Sequence, residues 1–186
     1  MNPTAGGAHL IRELYESITK DLAEVLTRTG EACTEKLLDR FRDARRVFFT
    51  GQGRSGAMAR AAAIRFAHLR DGVYLVGQPS VPPIGRGDLL VACSGRGTTA
   101  SVCLHARTAK TARANVVAIT TAPEGELTAL ADLTIVLPAS RGRARQLGGT
   151  LFEQALLLYL DAVAHLLARR LGITNAALAR RHANLE

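Results

Sequence analysis

The segment at residues 90–99 constrains the fold most strongly, because an apolar run there turns abruptly into small and hydroxyl residues ahead of a helical pattern. A strand–loop–helix junction of this kind brings free backbone N–H groups and the positive end of a helix dipole to one point. Glycines in the loop let a ligand approach the backbone, and hydroxyl groups add further donors. The segment therefore predicts an anion site, most naturally for phosphate. Its candidate residues are Ser94, Gly95, Arg96, Gly97, Thr98 and Thr99.

A second junction of the same kind lies earlier in the chain. Residues 47–50, Val-Phe-Phe-Thr, run into Gly-Gln-Gly-Arg-Ser-Gly at residues 51–56, and an Ala-rich helical pattern follows. An ordinary strand–helix turn would explain either junction alone. Two junctions in one small domain indicate two loops that close on one ligand, with Gly53, Arg54 and Ser55 as contributors. The first loop also fits the spelling G-x-G-x-x-G, but its hydroxyl group and the second hydroxyl-rich loop favour a phosphomonoester over a dinucleotide.

Apolar strands alternate with helical patterns along the rest of the chain. This alternation is typical of a parallel sheet covered on both faces. We therefore predict an α/β fold with a five-stranded, doubly wound parallel sheet, and a ligand at the carboxyl ends of its strands. The predicted strands are residues 46–50, 73–76, 88–93, 115–120 and 133–137. The predicted helices are residues 8–29, 31–43, 56–69, 99–113, 124–131 and 150–171, with a last short helix to about residue 182.

Length and composition fit one domain with a substantial core. The chain has 186 residues, of which 47% are hydrophobic. We expect residues 1–186 to form a single domain, with N-terminal helices to about residue 45, a core sheet with both loops over residues 46–137, and C-terminal helices over residues 150–186. No apolar run reaches the roughly 18 residues of a membrane span, and the first residues lack the pattern of a signal peptide. These features predict a cytoplasmic protein without a membrane partner.

The net charge of +8 predicts an anionic partner. Nucleic acid is the obvious candidate, but the arginines are scattered, aromatic residues are few, and no zinc-ligand spacing is present. Attraction of small anionic substrates explains the charge more simply, so we do not expect nucleic-acid binding. Cys33, Cys93 and Cys103 form no C-x-x-C pair, which argues against a disulfide framework. Cys93 ends a strand and is expected to pack as a small apolar residue.

Several segments resemble one known family. Residues 51–56 and residues 94–99, Ser-Gly-Arg-Gly-Thr-Thr, resemble the two signature loops of the sugar isomerase (SIS) domain. Three further segments are similar to the 6-phospho-3-hexuloisomerases. They are residues 83–90 (Pro-Ile-Gly-Arg-Gly-Asp-Leu-Leu), 149–153 (Gly-Thr-Leu-Phe-Glu) and 181–186 (Arg-His-Ala-Asn-Leu-Glu). The resemblance covers nearly the whole chain, and the closing hexapeptide is more specific than the loops.

The resemblance implies an isomerase that interconverts D-arabino-hex-3-ulose 6-phosphate and fructose 6-phosphate, the second step of formaldehyde fixation by the ribulose monophosphate route. It also implies a homotetramer with sites near the subunit interfaces, a sugar phosphate as the small-molecule partner, and neither metal nor cofactor. The phosphate site would comprise Ser55, Ser94 and Thr99, with the backbone of residues 95–98. Many SIS domains read Ser-Gly-Ser-Gly-Glu-Thr at the second loop. Arg96 therefore replaces a hydroxyl contact by a charged one, or points to solvent.

Moving a carbonyl group from C3 to C2 requires a base that takes a proton from one carbon and returns it to the other through a cis-enediol. Glu153, in the first turn of an apolar helix, is the candidate base, although an acid there is also explained as a partner of the helix dipole. His182 is the second catalytic candidate, for ring opening or proton shuttling; a solvated tail histidine is the alternative. In related SIS enzymes the corresponding histidine reaches a neighbouring subunit's site. No histidine pair has metal-ligand spacing, so we expect no metal.

Two other hypotheses stay open at this stage. The chain could be an SIS-domain isomerase of another sugar phosphate, or a non-catalytic sugar-phosphate-binding module of the kind found in some transcription regulators. The second hypothesis would normally require a DNA-binding module. Residues 1–45 are too short and too apolar for such a module with its linker.

Overall fold

The computed structural model describes residues 3–139 and 146–181. The central sheet consists of β1 (Val47–Gly51), β2 (Val73–Leu75), β3 (Leu89–Cys93), β4 (Asn115–Thr120) and β5 (Leu133–Val136). Neighbouring strands are parallel throughout, in the order β2-β1-β3-β4-β5. The structure therefore confirms the predicted α/β fold with a five-stranded parallel sheet.

Helices cover both faces of the sheet. The described helices are α1 (Pro3–Thr27), α2 (Glu31–Asp43), α3 (Gly53–Ala67), α4 (Ala100–Thr111), α5 (Glu126–Leu130), α6 (Thr150–Arg170) and α7 (Asn175–Arg180). One apolar core joins the sheet to α1, α2, α3 and α6, and a second joins it to α4 and α5. Because both faces are covered, β3 is buried along its whole length.

Residues 53–56 of the first predicted loop form the opening turn of α3, which begins at Gly53 rather than at the predicted residue 56. Gln52 is extended, and Gly53 has φ +55°, a left-handed conformation that glycine adopts without strain. Gly56 then meets the end of β1 so closely that a Cβ atom there would lie 2.8 Å from the carbonyl oxygen of Gly51. These glycines therefore let the helix start directly at the strand end.

The sequence indicated no apolar run as long as a membrane span, yet helix α6 is long and apolar enough to cross a membrane by length and composition alone. Of its most apolar window, 56% is buried inside the protein. The helix packs on α1, α2 and α3, with Leu156, Leu160 and Val163 among its buried residues. Its apolar composition is thus explained by its place in the core.

The amino ends of β1 and β3 carry a charge cluster around one buried carboxylate, at the edge opposite the two loops. Asp88, fully buried just before β3, accepts hydrogen bonds from Arg45, Arg46 and the backbone N–H of Gly85. Burial alone would raise the pKa of Asp88, but these hydrogen bonds and the charge of Arg46 outweigh it and hold the pKa below its usual value. The cluster fixes the start of β3 against the start of β1.

Candidate active site

A cavity of about 1180 Å³ opens at the carboxyl edge of the sheet. The register places Gly51, at the end of β1, beside Cys93, at the end of β3, so the segments that follow these strands meet at one edge. This is where ligands bind in open parallel sheets. The described lining residues are Arg28, Gln52, Gly53, Ser55, Cys93, Ser94, Gly95, Arg96, Thr99, Thr121, Ala122, Pro123, Val136, Pro138, Ala139, Gly148, Gly149, Phe152 and Glu153.

The second loop is a compact turn closed by its own side chains. The hydroxyl groups of Ser94 and Thr99 lie 2.9 Å apart, and the N–H of Gly97 donates to the carbonyl of Ser94 at 3.1 Å. Thr99 then precedes α4 in an extended conformation, so the first turn of that helix faces the loop. The loop thus combines two hydroxyl groups with a helix N-terminus, an arrangement that suits an anion.

Glu153 lies in the first turn of α6 with only 14% of its side chain exposed. Gly149, in a left-handed conformation, precedes the helix, and both Gly149 and Glu153 line the cavity. The guanidinium Nε of Arg54 donates to Oε2 of Glu153 at 2.6 Å, which ties the start of α6 to the start of α3. Among the lining residues that the structure describes, Glu153 is the only carboxylate.

The sequence-predicted residues divide into three groups. Seven of them line the common cavity: Gly53, Ser55, Ser94, Gly95, Arg96, Thr99 and Glu153. Three others do not line it. They are Arg54, which pairs with Glu153, and Gly97 and Thr98, which belong to the second loop. His182 lies outside the described residues.

The polar lining of the cavity carries an excess of positive charge. Arg28, directly after α1, and Arg96, in the second loop, both line the cavity. Arg28 also forms an ion pair with Glu24 one turn earlier, at 3.2 Å. Within residues 3–139 and 146–181, no group of three or more His, Cys, Asp or Glu side chains is placed to hold a metal ion. The described lining thus combines hydroxyl and guanidinium groups with a glycine-rich backbone, a combination that suits an anionic ligand.

Cys93 forms part of the cavity floor as a buried thiol. It is fully buried at the end of β3, and burial raises its pKa to about 12. A thiol with such a pKa stays protonated and is a poor nucleophile near neutral pH. The prediction that Cys93 packs as a small apolar residue is confirmed.

Sequence reasoning missed several lining residues. The sequence could have indicated Thr121, because it follows β4, which lies next to β3, and the carboxyl ends of parallel strands share one edge. Phe152 adjoins the predicted Glu153, yet its apolar character marked it only as a core residue. No sequence pattern marked Arg28 as a site residue, since the chain after α1 reaches the cavity only because α1 packs on α6.

Comparison with known proteins gives a consistent family assignment. The sequence profile of the SIS domain matches residues 40–166. The chain is 42% identical over 147 residues to a 3-hexulose-6-phosphate isomerase of Mycobacterium gastri, covering 76% of this chain and 74% of that protein. It is 36% identical to the enzyme of the same name from Bacillus subtilis, covering 90% of this chain and 98% of that protein.

A solved structure adds agreement in three dimensions. A protein of Methanococcus jannaschii, for which the function of 3-hexulose-6-phosphate isomerase has been inferred, superposes with a TM-score of 0.85 at 32% identity. The match covers 94% of this chain and 99% of that one. The chain belongs to the SIS domain family, in the group of relatives that includes the 3-hexulose-6-phosphate isomerases.

Proposed function

We propose that this protein is an isomerase that interconverts D-arabino-hex-3-ulose 6-phosphate and fructose 6-phosphate. The observation that carries the proposal is the single described carboxylate of the cavity, Glu153, which shares that cavity with a loop suited to a phosphate group. The names of its relatives from Mycobacterium gastri and Bacillus subtilis support this choice of substrate.

The phosphate group is assigned to the two loops. Ser55, Ser94 and Thr99 supply hydroxyl groups. Backbone N–H groups of the second loop supply further donors, with the exception of the Gly97 N–H, which donates to the carbonyl of Ser94. Arg96 lines the same cavity and adds positive charge. Holding the phosphate at one end places the carbon chain across the cavity toward α6.

Glu153 is assigned the proton transfer. Its carboxylate takes the proton from C2 of the hex-3-ulose while the C3 carbonyl oxygen gains a proton, which gives the cis-enediol. Glu153 then returns its proton to C3 while the hydroxyl at C2 loses its proton and becomes the carbonyl, so that one proton moves between the carbons and one moves from O2 to O3. The ion pair with Arg54 holds this carboxylate in place, because a charge-assisted hydrogen bond of 2.6 Å restricts its rotation. Arg54 is therefore proposed as a positioning residue for the base, in addition to its expected contribution to the phosphate field.

His182 keeps its role as the second catalytic candidate, for ring opening or for moving protons among the sugar oxygens. The family resemblance suggests that it acts in a neighbouring subunit's site, so the proposal includes a homotetramer. An apolar surface on the first half of α1 supports association, since Leu10, Leu14 and Tyr15 are exposed by 59, 42 and 62%. Light scattering should give a particle of four times the 19.8-kDa chain mass; a monomer would contradict the proposed assembly.

We also propose the metabolic setting that the resemblance implies. The substrate would arise from the addition of formaldehyde to ribulose 5-phosphate, which is the ribulose monophosphate route. A cytoplasmic location fits this setting, because phosphorylated sugars are charged and do not cross membranes unaided.

The first test is a direct assay of the reaction. Purified protein is incubated with enzymatically generated hex-3-ulose 6-phosphate in EDTA, and fructose 6-phosphate is followed by a coupled assay. We expect rapid product formation. Product formed only after metal is added would contradict the expected metal independence. Phosphosugar binding without product would favour another substrate or a non-catalytic binding module, and pentose and heptose phosphates would be tested next.

The second test separates catalysis from binding by substituting the carboxylate. Glu153→Gln is expected to lower kcat by a factor of roughly 10² to 10⁴, the usual contribution of a general base, while phosphosugar binding is retained. The chain offers a matched control in Asp161, which lies further along α6 and pairs with Arg65 of α3 at 3.3 Å outside the cavity. Asp161→Asn breaks the same type of contact between the same helices and should keep kcat. Unchanged turnover in Glu153→Gln would remove Glu153 from the mechanism.

A further inference from the structure

The carbonyl groups of the second loop are held by the segment that follows β4. The carbonyl oxygen of Gly95 accepts from the N–H of Thr121 at 3.0 Å and from its hydroxyl at 2.7 Å. It also accepts from the hydroxyl of Thr120 at 3.2 Å. The carbonyl of Gly97 is held in the same way, by the N–H of Leu127 at 3.0 Å and by the thiol of Cys103 at 3.6 Å. The carbonyl of Gly95 is thus fixed by the end of β4 and the residue after it, and the carbonyl of Gly97 by α4 and α5.

The geometry of the peptide bond determines where the N–H groups that follow these two carbonyls point. In a planar trans peptide the C=O and the following N–H point in opposite directions. Fixing the carbonyl of Gly95 therefore turns the N–H of Arg96 away from the Thr120–Thr121 segment. Fixing the carbonyl of Gly97 turns the N–H of Thr98 away from Leu127 and Cys103. Neither N–H donates to an acceptor in the part of the chain that the structure describes. The loop consequently holds donors oriented for an external acceptor.

We propose that Thr121 is a positioning residue that orients the Gly95–Arg96 peptide so that the Arg96 N–H is presented to the phosphate group of the substrate. The inference rests on the proposed function and refines it. Thr121 is half-buried and lines the cavity, but its hydroxyl proton is already donated to Gly95. Its hydroxyl group therefore acts through the loop and offers no second proton to a ligand.

Thr121 is a better probe than its neighbour Thr120. The hydroxyl of Thr120 also accepts from the N–H of Ala122 at 3.1 Å and is fully buried, so its removal would leave a buried donor unpaired. Thr121→Val removes only the hydroxyl bond to Gly95 and keeps the backbone bond. Thr128 provides a matched control, because its hydroxyl donates to the carbonyl of Ala122 at 3.1 Å without touching the second loop.

The test measures the Kd of inorganic phosphate by calorimetry, together with kcat and KM for the sugar phosphate. For Thr121→Val we expect the phosphate Kd and the KM to rise by the same factor, about fivefold for one lost hydrogen bond, with kcat within about twofold of the wild type. Thr121→Ser restores the hydroxyl group and should restore both values. Thr128→Val should leave the phosphate Kd unchanged.

Three results would overturn the proposal. One is a phosphate Kd that does not change in Thr121→Val. Another is a KM that rises while the phosphate Kd stays constant, since a direct contact to the sugar would produce that pattern. The third is a wild-type protein that binds no phosphate. Failure of the proposed isomerase activity can be distinguished from failure of this proposal. It would leave the wild type without turnover, while phosphate titrations of the wild type and the variants would still test the role of Thr121.

Discussion

Gly95 joins the second loop to the helix that carries the proposed base. A Cβ atom at this position would lie 3.0 Å from Cδ1 and 3.3 Å from Cγ of the Phe152 ring. Phe152 is almost fully buried, and the next residue along α6 is Glu153. The glycine therefore sets how closely the phosphate loop and the carboxylate approach each other.

Gly95→Ala tests this coupling at the residue scale. The added methyl group must displace the Phe152 ring, and overpacking of this type costs about 1–3 kcal/mol of folding stability. Because Glu153 follows Phe152, we expect kcat to fall by about tenfold or more, since small displacements of a catalytic group are costly. Steady-state kinetics with hex-3-ulose 6-phosphate measures the effect, and circular dichroism monitors the fold.

Gly148 provides the control for that substitution. It also lines the cavity, but an added methyl group there would meet no described atom within 4 Å. Gly148→Ala should therefore reduce kcat much less than Gly95→Ala. A Gly95→Ala protein with wild-type kcat would show that Phe152 moves without displacing Glu153.

Sequence patterns located much of the candidate site at the residue scale. Ser94, Thr99 and Glu153 were found because hydroxyl groups beside glycines and an acid at an apolar helix start carry recognisable chemistry, and all three line the cavity. The direction in which a side chain points could not be predicted from the sequence. Arg54 extends to Glu153, a contact between residues 99 positions apart that depends on how α3 and α6 pack.

At the scale of elements, the strands were predicted well because burial on both faces leaves an unmistakable apolar run. Strand β4 was predicted at residues 115–120 and occupies Asn115–Thr120. Helix α3 was predicted less well, since its first turn contains two glycines, which have poor helix propensity. Contact of Gly56 with the end of β1 outweighs that propensity, and such a contact exists only once strand and helix are packed together.

On the scale of the whole molecule, the candidate site and the charge cluster around Asp88 lie at opposite edges of the sheet. The candidate site is built where the strands end, whereas Asp88 and its two arginines hold the place where β1 and β3 begin. Changes at the charge cluster should therefore alter stability with little effect on the chemistry. This separation allows the cluster to be tested independently of the substrate.

Asp88→Asn should destabilise the protein by about 2 kcal/mol at pH 7, a typical value for hydrogen bonds to a charged group. The pKa of Asp88 is lowered in the folded protein, so its stabilising contribution is fully present above the unfolded value of about 4 and is lost as the pH falls through the folded value. The difference in stability between the wild type and the variant should therefore begin to shrink as the pH falls below about 4, and it should disappear only below the folded pKa of Asp88. Urea denaturation followed by circular dichroism measures this, at one fixed protein concentration because the proposed assembly would make stability concentration-dependent.

Asp43 forms an ordinary surface ion pair and provides a comparison for the buried carboxylate of Asp88. Its carboxylate pairs with Arg42 at 2.7 Å, and its pKa is also lowered, first by the hydrogen bond from Arg42, but its side chain is 64% exposed. Solvent and salt screen such a pair, so Asp43→Asn should change stability far less than Asp88→Asn. An Asp88→Asn penalty that persists undiminished at pH 3 would contradict the charge-based explanation. It would point instead to the shape and packing of the side chain at the start of β3, because an interaction that depends on the ionised carboxylate disappears once the carboxyl group is protonated.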